Sequence, residues 1–215
     1  MKFKKIGVTI MLSFTTSLLT VGCTNENEIS HETVDQVKVD DIKEPIQEKF
    51  NQTMALAEKG DAEAQYNLGW MYSNGEGVES DETVTAQWFQ KAADQGHIKA
   101  LYNLGVMYRD GVGVPQDDIK SADYLLKAAD QGYAPAQFNL GTLYFEGRGV
   151  PQDDIKAADY FLKAADQGVA DAQYNIGYMY YHGRGVAQDT NIAKEWLKKS
   201  ANQGFKAAQE SLSAM

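Results

Sequence analysis

The side chains best suited to catalysis are few and scattered. The chain has three histidines, His31, His97 and His182, and a single cysteine, Cys23. The sequence contains no His-Glu-x-x-His, no paired cysteines, no Ser-x-x-Lys and no glycine-rich loop followed by lysine. Those are the spacings that hold a zinc ion, a nucleophile with its base, or a nucleotide phosphate. The expectation is a chain that is not an enzyme, with no metal and no cofactor. Glycine pairs recur at Gly75/Gly77, Gly111/Gly113, Gly147/Gly149 and Gly183/Gly185, but they lack the lysine and read as structural turns. Cys23 has no partner within the chain, so no internal disulfide can form.

Binding chemistry is better represented. Asn67, Asn103, Asn139 and Asn175 form a ladder of side-chain amides. Asparagine is a poor interior helix former, so each has a task. It either meets a bound polypeptide or bonds to a neighbouring segment. Around each asparagine lies a varied set at spacing i, i+4, i+7, i+8. The sets are Tyr66, Trp70, Ser73, Asn74; Tyr102, Val106, Arg109, Asp110; Phe138, Thr142, Phe145, Glu146; and Tyr174, Tyr178, Tyr181, His182. That spacing is one face of a helix. Aromatic side chains supply most anchor energy at protein interfaces. The Tyr66 series is also placed to pack between adjacent helices, and both roles are open at this level. Arg109 is the one clear basic group of the set.

These residues recur because the chain recurs. Leu68, Leu104, Leu140 and Ile176 stand 36 residues apart, each followed by glycine, and Ala64, Ala100, Ala136, Ala172 and Ala208 keep the same period. Residues 115–132 and 151–168 differ at two of 18 positions. A fixed period of this length signals a stacked array, an architecture that offers long grooves. In the block from Ile98, Ala100, Leu104, Met107 and Tyr108 make the buried face of a first helix. The Gly105 series implies close approach of a second helix, because glycine otherwise costs about 1 kcal/mol in a helix. Gly111 and Gly113 break the helix, and Val114 plugs the loop into the core. Asp117 is placed to cap the second helix, Gly132 to end it, and Pro135 to sit in the first turn of the next. Asp94, Asp130 and Asp166 are expected to cap the helix that follows each short turn. Short connections make consecutive helices antiparallel. The fold class predicted is all-α.

Outside the array, Lys2, Lys4 and Lys5 precede an apolar stretch, Ile6 to Val21, too short to span a membrane. Residues 24–41 hold six acids against one lysine and no aromatic residue, a composition that reads as a flexible tether of roughly 25 Å. The whole chain carries a net charge of −10, and residues 42–215 carry −8, from 16 basic and 24 acidic residues. Such a balance disfavours nucleic acid and anionic lipid, and suits a basic protein or peptide.

Two resemblances sharpen this reading. Leu18-Leu19-Thr20-Val21-Gly22-Cys23 resembles a bacterial lipoprotein signal, although Thr20 stands where that pattern favours leucine. It implies cleavage after residue 22, lipidation at Cys23, a tether over 23–41, and, since Thr24 is not aspartate, anchorage on the periplasmic side of the outer membrane. The pattern Ala-xxx-Leu-Gly-xx-Tyr-xx-Gly-x-Gly-Val-xx-Asp, then Lys-Ala-Ala-x-Gln-Gly, resembles the Sel-like repeats, relatives of the tetratricopeptide repeats, over 42–215. That resemblance implies a right-handed α-solenoid of antiparallel helix pairs, with partial units at both ends. It places Tyr66, Asn67, Trp70, Tyr102, Asn103, Arg109, Asp110, Phe138, Asn139, Phe145, Glu146, Tyr174, Asn175, Tyr178, Tyr181 and His182 in a concave groove. In the relatives such asparagines hold a bound peptide's backbone or carboxylate. The function implied is a protein-binding scaffold of the cell envelope, monomeric when free and attached to membrane by its lipid alone. The alternative is a periplasmic immunity protein that neutralises a secreted toxin, such as a phospholipase effector of type VI secretion. Members linked to β-lactam hydrolysis carry paired cysteines that this chain lacks.

Overall fold

The computed structural model describes residues 39–215, with side chains from Glu44 onward. The lipoprotein signal, Cys23 and residues 24–38 of the acidic tether lie outside the described residues, while the last three tether positions, 39–41, belong to α1. Ten helices follow one another, and the described residues contain no strand. They are α1 (Val39–Glu58), α2 (Ala62–Asn74), α3 (Glu82–Asp94), α4 (Ile98–Asp110), α5 (Asp118–Asp130), α6 (Ala134–Glu146), α7 (Asp154–Asp166), α8 (Ala170–His182), α9 (Thr190–Asn202) and α10 (Lys206–Ala214). Helix α1 begins three residues before position 42, where the array was expected to start. Each helix packs chiefly against its neighbours in sequence. The even-numbered helices therefore form one layer and the odd-numbered helices the other.

The period becomes structure through a few recurring contacts. Leu68, Leu104, Leu140 and Ile176 are wholly buried, with Ala100, Ala136 and Ala172 beside them. At the glycine one place on, the second helix of the hairpin comes close. A Cβ at Gly105 would lie 2.8 Å from Leu125 Cγ, and one at Gly141 2.8 Å from Phe161 Cδ1. No ordinary side chain fits at that distance, which explains glycine inside four helices. Asp81, Asp117, Asp153 and Asp189 cap the second helices, each accepting from two backbone N–H groups. Val78, Val114, Val150 and Val186 turn the loops inward against the core.

The capping expected of Asp94, Asp130 and Asp166 is not what is found. Asp94 accepts from Gln90 Nε2 at 2.6 Å, and α4 is capped instead by His97 Nδ1, 3.2 Å from the Ala100 N–H. Helices α6 and α8 begin at Tyr133 and Val169, without any side-chain cap. The three aspartates end outgoing helices on the exposed surface, and the left-handed glycine between them and the next helix turns the chain away from them.

Repeats are joined to one another by polar side chains. Buried Gln65, Gln137 and Gln173 each donate to a backbone carbonyl eight residues earlier, Ala57, Ala129 and Ala165. Their own carbonyls accept from Gln95, Gln167 and Gln203 at 2.8–2.9 Å. These amides satisfy open carbonyls at the end of one helix and tie that end to the next hairpin, as buried polar groups require. A second tie runs back from the loops. Arg148 reaches Asp118 and Arg184 reaches Asp154, both at 2.8 Å. Gly149, at φ +68°, lies directly on the Asp118 backbone.

Gly149→Ala therefore combines left-handed strain of about 1–2 kcal/mol with a backbone clash worth about 1–3 kcal/mol more. Gly168 has φ +90° and open space around it, so Gly168→Ala carries the strain alone. Urea denaturation should show the first variant less stable than the second by at least about 1 kcal/mol. Equal losses would refute this loop packing.

Candidate functional site: the face of the even-numbered helices

Helical spacing and the 36-residue offset bring most of the sequence-predicted residues onto the face of α2, α4, α6 and α8. They divide there into two groups. The Tyr66 series sits between helices. Tyr66 stacks on His97 at 4.5 Å and on Phe89 at 5.5 Å. Tyr102 meets Tyr133 at 5.2 Å, Phe138 meets Phe161 at 5.9 Å, and Tyr174 meets Phe205 at 5.2 Å. All four are half-buried, so part of each ring already belongs to the packing between repeats. Its partner in three cases is the residue that opens the next even-numbered helix.

The second group is more exposed, although Trp70 still meets Phe89 edge-on at 5.9 Å. Trp70 is 40% exposed, and Tyr178 and Tyr181 are each 38% exposed. They are the three exposed large aromatic residues among the described residues, and all lie on even-numbered helices. His182 leans on Tyr178 at 4.2 Å and on Tyr181 at 4.9 Å. Phe145 is half-buried, with the Arg184 guanidinium 4.0 Å over its ring. The Asp154 hydrogen bond holds that guanidinium's pKa above its ordinary value.

Charge on this face is largely paired. Arg109 grips Asp110 through Nε at 2.8 Å and Nη2 at 3.0 Å. That hydrogen bond outweighs burial and raises the arginine's pKa. The basic group expected to meet a ligand carboxylate is thus engaged by its neighbour. Glu146 has Arg148 4.0 Å away. His97 accepts at Nδ1, so its proton sits on Nε2 and donates to Glu63 at 3.0 Å.

The asparagine ladder is not uniform. Asn67 is exposed, and the other three are half-buried. Asn139 donates to the Tyr102 hydroxyl at 3.5 Å, a long bond across one repeat. The Nδ2 of Asn103 is buried without a hydrogen-bond partner.

Two hollows open at the C-terminal end of this face. The first, about 210 Å³, lies between Thr142, Phe145 and Glu146 of α6 and Asn175, Tyr178 and Met179 of α8, with Phe161 as its floor. The second, about 230 Å³, lies between Tyr178, Tyr181 and His182 of α8 and Ser211, Ala214 and Met215, over Leu197, with Tyr174 at its side. No group of three or more histidine, cysteine or acidic side chains suited to a metal ion occurs among the described residues.

Buried Gln137 and Gln173 stand 36 residues apart, as do Arg148 and Arg184, and that spacing is the signal in the sequence for the glutamine and arginine–aspartate ties. A family model for the Sel1 repeat matches residues 62–97, 98–133, 134–169 and 170–205. The chain belongs to the Sel1 repeat family. Sel1-repeat chains are in general protein-interaction scaffolds rather than catalysts. None of the proteins of curated function matches this chain. Among solved structures, a protective antigen of uropathogenic Escherichia coli with the same repeat fold is 40% identical, with a TM-score of 0.75, over 77% of this chain and 36% of its own. A Sel1 repeat protein from Oxalobacter formigenes is 39% identical, with a TM-score of 0.72, over 79% of this chain and 49% of its own. This Sel1-repeat chain therefore spans less than half of either. An immunity protein from Pseudomonas aeruginosa is 29% identical over 76% of this chain and 61% of its own, with a TM-score of 0.47.

The two aromatic groups should separate by stability. Phe138→Ala removes a ring packed against Phe161 and should cost about 2 kcal/mol or more. Tyr181→Ala removes an exposed ring and should cost under about 0.5 kcal/mol. Denaturation curves of both variants check this. A large loss at Tyr181 would place it in the core.

Proposed function

We propose that this Sel1-repeat chain is a non-catalytic scaffold that holds a partner protein on the face of its even-numbered helices. The observation that carries the reading is the segregation of Trp70, Tyr178 and Tyr181, the exposed aromatic residues, to that one face. Exposed rings supply anchors when a partner covers them. The net charge of −8 over residues 42–215 favours a basic partner, because attraction between opposite surfaces speeds encounter and suppresses wrong partners.

The chain's place in the cell is a second part of the proposal. Cleavage after Gly22 and lipidation of Cys23 would anchor it on the periplasmic side of the outer membrane, with residues 24–38 as spacer. Within this setting, an adaptor would hold several partners at moderate affinity. An immunity protein would hold one toxin at nanomolar Kd or tighter.

Two measurements test the proposal. Partners retained by the immobilised protein should be lost from Trp70→Ala and Tyr178→Ala by more than about 1 kcal/mol each, and should weaken as salt rises. Retention unchanged in both variants would contradict the groove. Expressed in a Gram-negative host, the chain should incorporate labelled fatty acid and sediment with outer membranes. Cys23→Ser should do neither, and membrane attachment that survives this change would contradict the anchor.

A further inference from the structure

The two hollows differ in charge. The first carries the exposed carboxylate of Glu146 on its rim, and 36 residues on the same place in the second belongs to His182. Both have an apolar floor, Phe161 in the first and Leu197 in the second. At about 210 Å³, the first hollow is smaller than the roughly 300–1,000 Å³ that drug-sized ligands occupy. Its size suits a single side chain of a partner.

Its build says which side chain. An apolar floor under a charged rim suits an apolar stem with a charged tip, the build of lysine and arginine. Glu146 is the acid left over beside the two arginines of this corner. Arg148 and Arg184 each hold an aspartate, Asp118 and Asp154, at 2.8 Å, and Arg148 stands 4.0 Å from Glu146. On the opposite wall, Asn175 lacks the cross-repeat bond of its ladder. Asn139 donates to the Tyr102 hydroxyl, whereas Phe138 stands where Asn175 would find one. The side-chain carbonyl of Asn175 is a second acceptor. Phe145 and Tyr178 also line the hollow. Phe145 already carries a guanidinium, that of Arg184, 4.0 Å over its ring, and Tyr178 stays 38% exposed beside His182. A flat guanidinium stacks on such rings and offers five N–H groups to acceptors on two walls, whereas an ammonium is a point charge that holds its water more strongly.

Resting on the groove reading above, we infer that the first hollow takes one arginine side chain of the partner protein. The stem lies over Phe161, the guanidinium meets Tyr178, and Glu146 and Asn175 accept its N–H groups. The second hollow, with His182 in place of the carboxylate, takes none. A basic partner is thus read at a defined point as well as by the net charge of the array.

Methionine methyl groups report on the two hollows separately, Met179 in the first and Met215 in the second. The full chain, isotopically labelled at methionine methyls and purified in detergent, is titrated by NMR with N-acetyl-arginine methylamide. The lysine compound and the citrulline compound, which has arginine's shape without its charge, are the comparisons. The Met179 signal should move and saturate in the millimolar range with arginine, while Met215 stays still. Lysine should bind about threefold weaker and citrulline about tenfold weaker. In Glu146→Gln, arginine binding should fall to the level of citrulline. Lysine or citrulline equal to arginine, an equal response at Met215, undiminished binding in Glu146→Gln, or no response at all would each overturn the inference. Any of these failures alongside a partner protein still lost in Tyr178→Ala would leave the groove reading standing and remove only the arginine site.

Discussion

Every hairpin in this chain depends on a place where one helix has no side chain. At Gly105, Gly141 and Gly177 the space a Cβ would need is held by Leu125, Phe161 and Leu197. The helix gives up about 1 kcal/mol of propensity at each glycine, and the hairpin closes around a large apolar residue instead. This contact fixes which face of the first helix turns inward. Residues 70, 106, 142 and 178, one place past each glycine, are left at the edge of that contact, exposed at 70 and 178 and half-buried at 106 and 142.

Repetition then carries that edge along the molecule. The glutamine amides bond the end of one helix pair to the next, and the arginine–aspartate pairs tie each loop to the hairpin before it. The ties lapse where the sequence departs from its own period. Leu101 stands in place of a glutamine, and Val112 in place of an arginine. Gln131 is left with only its bonds to the Gly96 and Lys127 carbonyls, the counterparts of those Gln167 makes to Gly132 and Lys163 beside its amide tie. Surface chemistry follows such departures too. Asp110 and Arg109 neutralise one another, where the next two repeats carry Phe145 and Tyr181 at the Arg109 position. A binding face differs from repeat to repeat because the scaffold beneath it does not.

The internal copies made the fold legible. Four versions of one segment within a chain separate constant positions from varied ones. Leu68, Gly69 and their counterparts stood out as core, and Asp117 and Gly132 as helix punctuation. The Asp94 series lies close to the next helix across a short turn, but a left-handed glycine intervenes, and α4 is capped by His97 while α6 and α8 have no side-chain cap. The Tyr66 series was only half legible. Its spacing within the helix is that of the exposed face, but its contact with His97 spans 31 positions and depends on how two repeats dock. The buried glutamines were visible as a period and went unused, since a polar residue at a helix start reads as surface until the preceding carbonyls are located.

The same geometry underlies the functional reading. Single exposed isoleucines, Ile119 and Ile155, lie on α5 and α7, but the exposed rings gather on the even-numbered helices, and that face is built to be covered. Site-specific photo-crosslinking in living cells tests this most directly. A benzophenone side chain at position 70 or 181 should yield a discrete higher-mass adduct with a partner protein. The same group at Asp123 or Asp159, exposed on the odd-numbered helices, should yield none. Adducts from the odd-numbered face alone would contradict the account.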